Sequence, residues 1–325
     1  MPVNSVSEVN SFLLNYYKDS GLYGNPVPIK EQEQSTLECV FFMAVDDNIN
    51  YSVVMPIHNQ GAIIKSNLYA LMECISGSYE LILILDACED NSKSEVLDVL
   101  HNLSSVVGLN RIIVIESDVP LFETVCDNIG FRLASGKWLL EIQADMKMTE
   151  KEFNWNLTKP FLTDNKVIAV SGRCCHSLDQ REIIGRGGHA IERSVSELGL
   201  DKDTFYVHEV CNRGPLLLDA DKVKIMGYLD ETNFYLDYSE IDMVLRAFDQ
   251  KGWICGYVPI DFESPLSDGS TRKVRDPLNT YILNIRKNRA VGGGGINSGF
   301  VAEYLRRGIF RPGYTVKLQN NLVYK

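Results

Sequence analysis

The stretch Leu81-Ile82-Leu83-Ile84-Leu85-Asp86 reads as a strand covered on both faces. Five consecutive Leu and Ile residues leave no polar side for solvent, as expected inside a parallel sheet with helices above and below. Upstream, Tyr51 to Ile57 is a similar run, ending at Pro56. Between the two, Ile63, Ile64, Leu68, Leu71, Met72 and Ile75 follow helical spacing. Downstream, Val96, Leu97 and Leu100 mark a helix and Arg111 to Ile115 a third strand. Pro120 then opens a helix whose apolar face is Leu121, Val125, Ile129 and Leu133, and Trp138 to Ile142 is a fourth strand. Strands alternating with helices of this length make βαβ units, so the fold class is α/β with a mixed, mostly parallel central sheet flanked by helices. Ligands of such sheets sit beyond the carboxyl ends of the strands. That rule selects Pro56 to Asn59, Asp86 to Asp90 and Gln143 to Asp145.

Composition narrows the partners. The 325 residues carry 43 Asp and Glu against 32 Lys and Arg, a net charge of -11. A surface this acidic argues against nucleic acid, whose nonspecific binding needs clustered positive charge, and against an anionic membrane. A small phosphorylated ligand stays open, because a few local groups or a metal ion offset its charge. The longest apolar runs, Val40 to Val45 and Leu81 to Leu85, fall far short of the ~20 residues that span a bilayer. The eight cysteines show no C-x-x-C pair and no basic-then-apolar leader is visible, so a reduced, cytoplasmic protein is expected. Residues 1–48 form an N-terminal extension with a helix near Val6 to Tyr17, residues 49–265 the main domain, and residues 266–325 a C-terminal extension packing on or near the active site. That last stretch holds the basic cluster Arg272, Lys273, Arg275, Arg286, Lys287 and Arg289 and the run Gly292 to Gly295.

Four places carry residues suited to chemistry. His58 offers a flat ring on which a base can stack, although a proline turn with a surface histidine explains it equally. Asp86, directly after a buried strand, can accept hydrogens from a base or ribose. Asp90, Asn91 and Ser92 are the better capping residues for the helix that follows, for which Asp86 lies too early. Asp145, alone at a strand end, calls for a divalent cation or a hydrogen-bond donor. In Glu240-Ile241-Asp242-Met243-Val244-Leu245-Arg246, the residues Ile241, Val244, Leu245 and Phe248 make the buried face. Asp242 and Arg246 are an i, i+4 pair, whereas Glu240 has no local partner and is the better candidate general base.

The order and spacing of these places resemble glycosyltransferase family 2, inverting nucleotide-sugar transferases with the GT-A fold. The family's P-x-Y-N corresponds to Pro56-Ile57-His58-Asn59, and its Asp-Asp-x-Ser/Thr-x-Asp to the stretch from Asp86 to Asp90. N-x-G-x-x-x-A-x-G is reproduced from Asn128 to Gly136. D-x-D corresponds to Gln143-Ala144-Asp145, and the acceptor segment to Gly227 to Glu231 followed by Glu240, Asp242 and Arg246. Three positions depart from the pattern: Gln143 for the first acid of D-x-D, Asp127 where many members have arginine, and Ala87 for the second aspartate.

The resemblance implies a UDP-sugar as the favoured donor, bound by Pro56, His58, Asn59, Asp86, Asn128 and Gln143. It implies Mn2+ or Mg2+ on Asp145, and Glu240 with Asp242 as the catalytic acids. The acceptor hydroxyl would belong to a glycan, a lipid-linked sugar or a protein. Asn212-Arg213-Gly214-Pro215 falls on the acceptor side, although a turn before a strand also explains it. The basic cluster at Arg272 to Arg275 either closes over the diphosphate or is a solvated charge run. Two other classes fit less well. A non-catalytic binder of the same fold draws support from Gln143. A sugar nucleotidyltransferase needs an arginine in its first loop, where His58-Asn59-Gln60-Gly61 has none.

Overall fold

A computed structural model describes residues 3–19, 37–103, 106–173, 200–208, 210–231, 234, 239–264 and 314–318. The basic cluster and the glycine run of the C-terminal extension lie outside these residues, as do Cys174 and Cys175. In chain order the elements begin with α1 (Val6–Asp19), β1 (Leu37–Ala44), β2 (Tyr51–Ile57), α2 (Ile64–Cys74), β3 (Tyr79–Asp86), α3 (Ser92–His101), β4 (Leu109–Ser117), α4 (Phe122–Leu133) and β5 (Trp138–Glu141). They continue with β6 (Lys147–Met148), α5 (Phe153–Thr163), β7 (Val167–Ser171), β8 (Thr204–His208), β9 (Leu216–Asp219), α6 (Ala220–Ile225), α7 (Ser239–Lys251), β10 (Ile254–Tyr257), β11 (Phe262–Glu263) and β12 (Tyr314–Lys317).

The central sheet has ten strands in the order β1-β4-β3-β2-β5-β9-β7-β10-β8-β12. The pairings make β2, β3, β4, β5, β7, β10 and β12 point one way and β1, β9 and β8 the other. The expected mixed, mostly parallel sheet is therefore present. Alternation splits its side chains between two cores. Val54, Ile82 and Ile84 enter one, and Val53, Met55, Leu81, Leu83 and Leu85 the other. The chain steps outward from β2 through β3 to β4, then returns across α4 to place β5 on the far side of β2. Strand order reverses at β2 and β5, and that reversal opens a crevice beyond their carboxyl ends.

Close packing brings α4 down onto β2. A β-carbon on Gly130 would lie 2.3 Å from Cγ1 of Val54, so only glycine lets the helix approach this far. At the opposite end of the strands, Arg111 and Glu80 form a fully buried ion pair. The Arg111 Nε donates to Glu80 at 2.6 Å, and its other nitrogens reach the carbonyls of Val3 and Leu133 and the hydroxyl of Ser135. With every nitrogen of Arg111 bonded, the buried pair meets the condition under which such charges are tolerated.

Two described elements of the first 48 residues are built into this frame. The expected N-terminal helix is α1, and β1 runs antiparallel to β4 along the sheet edge. Asn10 of α1 accepts the Cys39 amide at 2.7 Å. At the far edge, β12 pairs antiparallel with β8.

Candidate active site

The ends of β2 and β3 are tied together. His58 Nδ1 lies 2.6 Å from the Asp86 carbonyl oxygen, and Asn59 accepts the Glu89 amide at 2.8 Å. Asn59 and Ala87 both hold a left-handed backbone, with φ of 51° and 46°. Side chains rarely adopt that conformation, and outliers of this kind gather at functional sites.

Asp86 is buried, and its two oxygens accept the backbone amides of Leu121 and Phe122 at 2.6 and 3.0 Å. It lies too early to cap α3, but it caps α4 across the sheet instead. This grip, with Phe122 at φ 65°, starts α4 after Leu121 and later than Pro120 suggests. Burial pushes the Asp86 carboxyl up to about 6, against the opposing pull of the Leu121 amide.

Arg213 is the centre of the site. Only 7% exposed, it sits in the turn before β9, which runs antiparallel to β5 and so begins at the carboxyl end of that strand. Its Nη1 pairs with Asp127 and lies 3.4 Å from Glu123, while its Nε donates to Glu240 at 3.1 Å. Its Nη2 donates to Thr124 at 3.0 Å and to the Ser239 hydroxyl. Glu123, Thr124 and Asp127 share one face of α4 at i, i+1 and i+4, and Ser239 and Glu240 open α7. One guanidinium thereby joins two helices. Asp127, the departure from the family pattern, is explained by this arginine arriving from another segment.

Glu141, the last residue of β5, adds a further acid beneath Arg213. Its Oε2 accepts the Gly214 amide at 2.7 Å, and its Oε1 is buried with no hydrogen-bond partner among the described residues. Gly214 itself has φ 51°, and a β-carbon there would meet the Gln143 side chain at 2.8 Å. Burial pushes the Glu141 carboxyl well above its ordinary range and Asp127 up to about 7. Glu240 is also raised by burial, with Arg213 opposing the shift.

Gln143 and Asp145 follow β5 in a turn closed by the Met146 amide on the Gln143 carbonyl at 3.0 Å. The Gln143 amide donates to Glu123 at 2.9 Å, and Arg173, beyond the end of β7, reaches its oxygen at 3.5 Å. Among the described residues no group of three or more His, Cys, Asp or Glu could hold a metal ion.

Asn128 and Asp242 serve the segment Gly227 to Glu231. The Asn128 amide donates to the Leu229 carbonyl and the Glu231 carboxylate and accepts the Leu229 amide, at 2.9, 2.7 and 3.0 Å. Asp242 accepts from Arg246 at 2.7 Å, and Arg246 donates to the carbonyls of Met226 and Tyr228. The buried face expected of Ile241, Val244, Leu245 and Phe248 differs in two places: Asp242 is buried too, and Phe248 is only partly buried. The pair with Arg246 is what allows a carboxylate there. Tyr16 of α1 donates its hydroxyl to Glu231, and Arg132 lies 4.0 Å from the Tyr228 ring centre and 5.6 Å from that of Tyr16.

The structure therefore brings Glu240, Gln143, Asp145, Asp86, His58 and Asn59 to the carboxyl end of the sheet, with Pro56 the second-last residue of β2. Sequence reasoning missed the hub role of Arg213 and the acids Glu123 and Glu141. An arginine just before a strand, in a chain short of basic residues, was the available signal.

The mannosyltransferase PcManGT from Pyrobaculum calidifontis, solved in complex with GDP-Man and Mn2+, superposes with a TM-score of 0.54 at 13% identity, covering 94% of this chain and 83% of that one. The fold is one that glycosyltransferases use. S. aureus TarS in complex with UDP-GlcNAc superposes at 0.49 with 12% identity, over 79% of this chain and 73% of that one. In sequence, a PGL/p-HBAD biosynthesis glycosyltransferase of Mycobacterium tuberculosis is 28% identical over 102 residues, as is one of Mycobacterium bovis. The match spans 31% of this chain and 38% of the length of those relatives. No family model matches the chain. No helix among the described residues is long and apolar enough to cross a membrane.

Proposed function

We propose that the chain is an inverting glycosyltransferase that moves a sugar from a nucleotide-sugar donor, a UDP-sugar in first place, to an acceptor hydroxyl. The observation that carries this reading is a continuous polar path. It runs from Glu240 through Arg213 and Glu123 to Gln143, next to Asp145, and so joins the candidate base to the strand end where a donor diphosphate would sit. The curated glycosyltransferase relatives and the GDP-Man complex of the archaeal mannosyltransferase support the same class.

In this reading the acceptor oxygen attacks the anomeric carbon from the face opposite the nucleotide. Glu240 takes its proton as the bond to the diphosphate breaks, through an oxocarbenium-like transition state. His58 and Asn59, pinned to the end of β3, bound the base-binding side, and Asp86 holds α4 in place beside them. Residues 49–265 carry this chemistry, with the two extensions flanking it, and the acceptor is a glycan, a lipid-linked sugar or a protein.

The residues fit a divalent cation that arrives with the donor. Mg2+-like ions are commonly held by one or two carboxylates plus substrate phosphates, and Asp145 supplies one carboxylate without a preformed protein cage. Mn2+ or Mg2+ on Asp145 would neutralise charge developing on the diphosphate. Gln143, engaged with Glu123 and Arg173, also favours a second reading, a nucleotide-sugar binder without turnover.

The test is transfer and hydrolysis of UDP- and GDP-sugars with Mn2+. Glu240→Gln should lower kcat by about 10²–10⁴-fold while donor affinity persists. A wild type that binds donors and turns over none with any acceptor sinks the transferase reading in favour of the binder. Calorimetric titration of UDP with and without Mn2+, on wild type and Asp145→Ala, tests the metal. Metal-enhanced affinity that survives Asp145→Ala rules that ligand out.

A further inference from the structure

Glu240 does not stand alone, and what surrounds it has consequences for its chemistry. We propose that Arg213 is the positioning residue that orients the Glu240 carboxylate and holds it ionised, and that Asp127 is a second carboxylate competing for the same guanidinium. This rests on the reading of Glu240 as the base.

The guanidinium is a planar fork, so its direction is set once several of its nitrogens are bound. All three are bound here: Nε to Glu240, Nη1 to Asp127 and Nη2 to Thr124 and Ser239. Anchored on α4, Arg213 presents Nε to one oxygen of Glu240. The acids around it differ in access. The Asp127 and Glu141 side chains are 1% exposed, while those of Glu240 and Glu123 are 12% and 20% exposed. Glu240 is the more open of the two to a substrate, and Asp127 acts on it through Arg213 and by direct repulsion when ionised.

Charge counting gives the coupling. Glu123, Asp127, Glu141 and Glu240 surround one buried cation, and four ionised carboxylates there would leave an uncompensated negative charge out of water. Protons then belong on the two acids cut off from water, Glu141 and Asp127, each of which has one buried carboxyl oxygen with no hydrogen-bond partner among the described residues and each of which burial raises. With a proton on Asp127, the guanidinium serves Glu240. With Asp127 ionised, the two divide it. The groups bearing on Glu240 among the described residues are Arg213 from the turn before β9, Glu123 and Asp127 from α4, and the buried Cys211 thiol, with Glu141 of β5 facing Arg213. Asp242 on the same helix is turned to Arg246.

The measurement is a side-chain carboxyl 13C NMR titration of the full chain labelled at glutamate, with the Glu240 resonance assigned by Glu240→Gln. An opposite charge within hydrogen-bond range lowers a carboxyl pKa by roughly 1–3 units, so Arg213→Gln should raise the Glu240 midpoint by about one unit or more. Arg213→Lys should keep it near wild type, and Asp127→Asn, which fixes the protonated state, should erase the second inflection that ionisation of Asp127 near 7 imposes on the Glu240 resonance. The acid limb of kcat/KM should move in the same direction as each midpoint, which a merely structural loss of activity would not do.

A folded Arg213→Gln protein with an unmoved midpoint overturns the proposal. If that variant does not fold, a second inflection of the Glu240 resonance that persists in Asp127→Asn overturns it instead. The titration needs no turnover, so the two readings separate. Unmoved midpoints in an active enzyme sink the role of Arg213 and leave the transferase. The expected midpoints in a protein that turns over no donor support the coupling and sink the transferase.

Discussion

Gly130→Ala asks whether the N-x-G-x-x-x-A-x-G segment is a packing device or a ligand-binding one. The new methyl would sit 2.3 and 2.8 Å from the two γ-carbons of Val54, and ordinary contact begins near 3.4 Å, so something must move by about an ångström. Val54 cannot retreat. It is fully buried on β2, which is hydrogen-bonded on one side to β3 and on the other to β5, and a β-branched side chain has few alternative rotamers. Overpacking of this kind costs about 1–3 kcal/mol, and the upper end applies where neither partner yields. Alanine recovers about 1 kcal/mol of helix propensity relative to glycine. The net loss is about 2 kcal/mol, which at roughly 2–4 °C per kcal/mol lowers Tm by about 4–8 °C. Urea denaturation of Gly130→Ala, Val54→Ala and the double variant completes the cycle. In the double variant the new methyl occupies the space left by Val54, so a coupling of about 1.5–3 kcal/mol in favour of the pair is expected. A single variant as stable as wild type, or strictly additive effects, would refute the packing argument and return the segment to ligand binding.

Three more outcomes follow from buried polar groups. Asp86 has its folded pKa raised from 3.8 to about 6, so the stability tied to its proton is present below pH ~4 and is lost as pH rises through 6; a two-unit shift corresponds to about 3 kcal/mol. About half of that loss falls between pH 5 and 8, so wild-type stability should drop over that range relative to Asp86→Asn, and parallel urea-denaturation curves against pH would contradict it. Arg111→Met strands Glu80 and should cost about 3–5 kcal/mol in chemical denaturation, most of it recovered by adding Glu80→Gln; no recovery would mean that the pair's charge is not the issue. Tyr16→Phe removes a hydrogen bond to the Glu231 carboxylate and should lower stability by about 1.5–3 kcal/mol, read by thermal melting; an unchanged melt would show that this contact contributes nothing.

The parallel half of the sheet was legible because each of its strands is a local signal. Leu81 to Leu85 and Tyr51 to Ile57 carry their burial in their composition, and α4 carries its face in its spacing. Leu37–Ala44 was hidden for a physical reason. As an edge strand it is only partly buried, so its pattern matches neither template cleanly. The placing of His58, Asp86 and Asp145 at strand ends followed from the crevice rule. Arg213 did not, since its partners, from Ser239 to Glu123, lie 26 to 90 positions away in sequence and no local pattern encodes them. Asp86 shows the same limit. Its capping role was sought on the helix after its own strand, but the sheet delivers it to a helix 35 residues on.

The clasp of α1 on Glu231 bears on how the protein is handled in the laboratory. Trimming the first nineteen residues removes the hydroxyl that meets Glu231 and bares one side of Arg132, and a bulky tag close to Val3 crowds the carbonyl that Arg111 holds. The disturbance passes to the segment that Asn128 and Arg246 hold, and so to the approach to α7. Loss of stability in such a preparation would report a loosened segment from Gly227 to Glu231, and screens for the proposed activity belong on protein with an undisturbed α1.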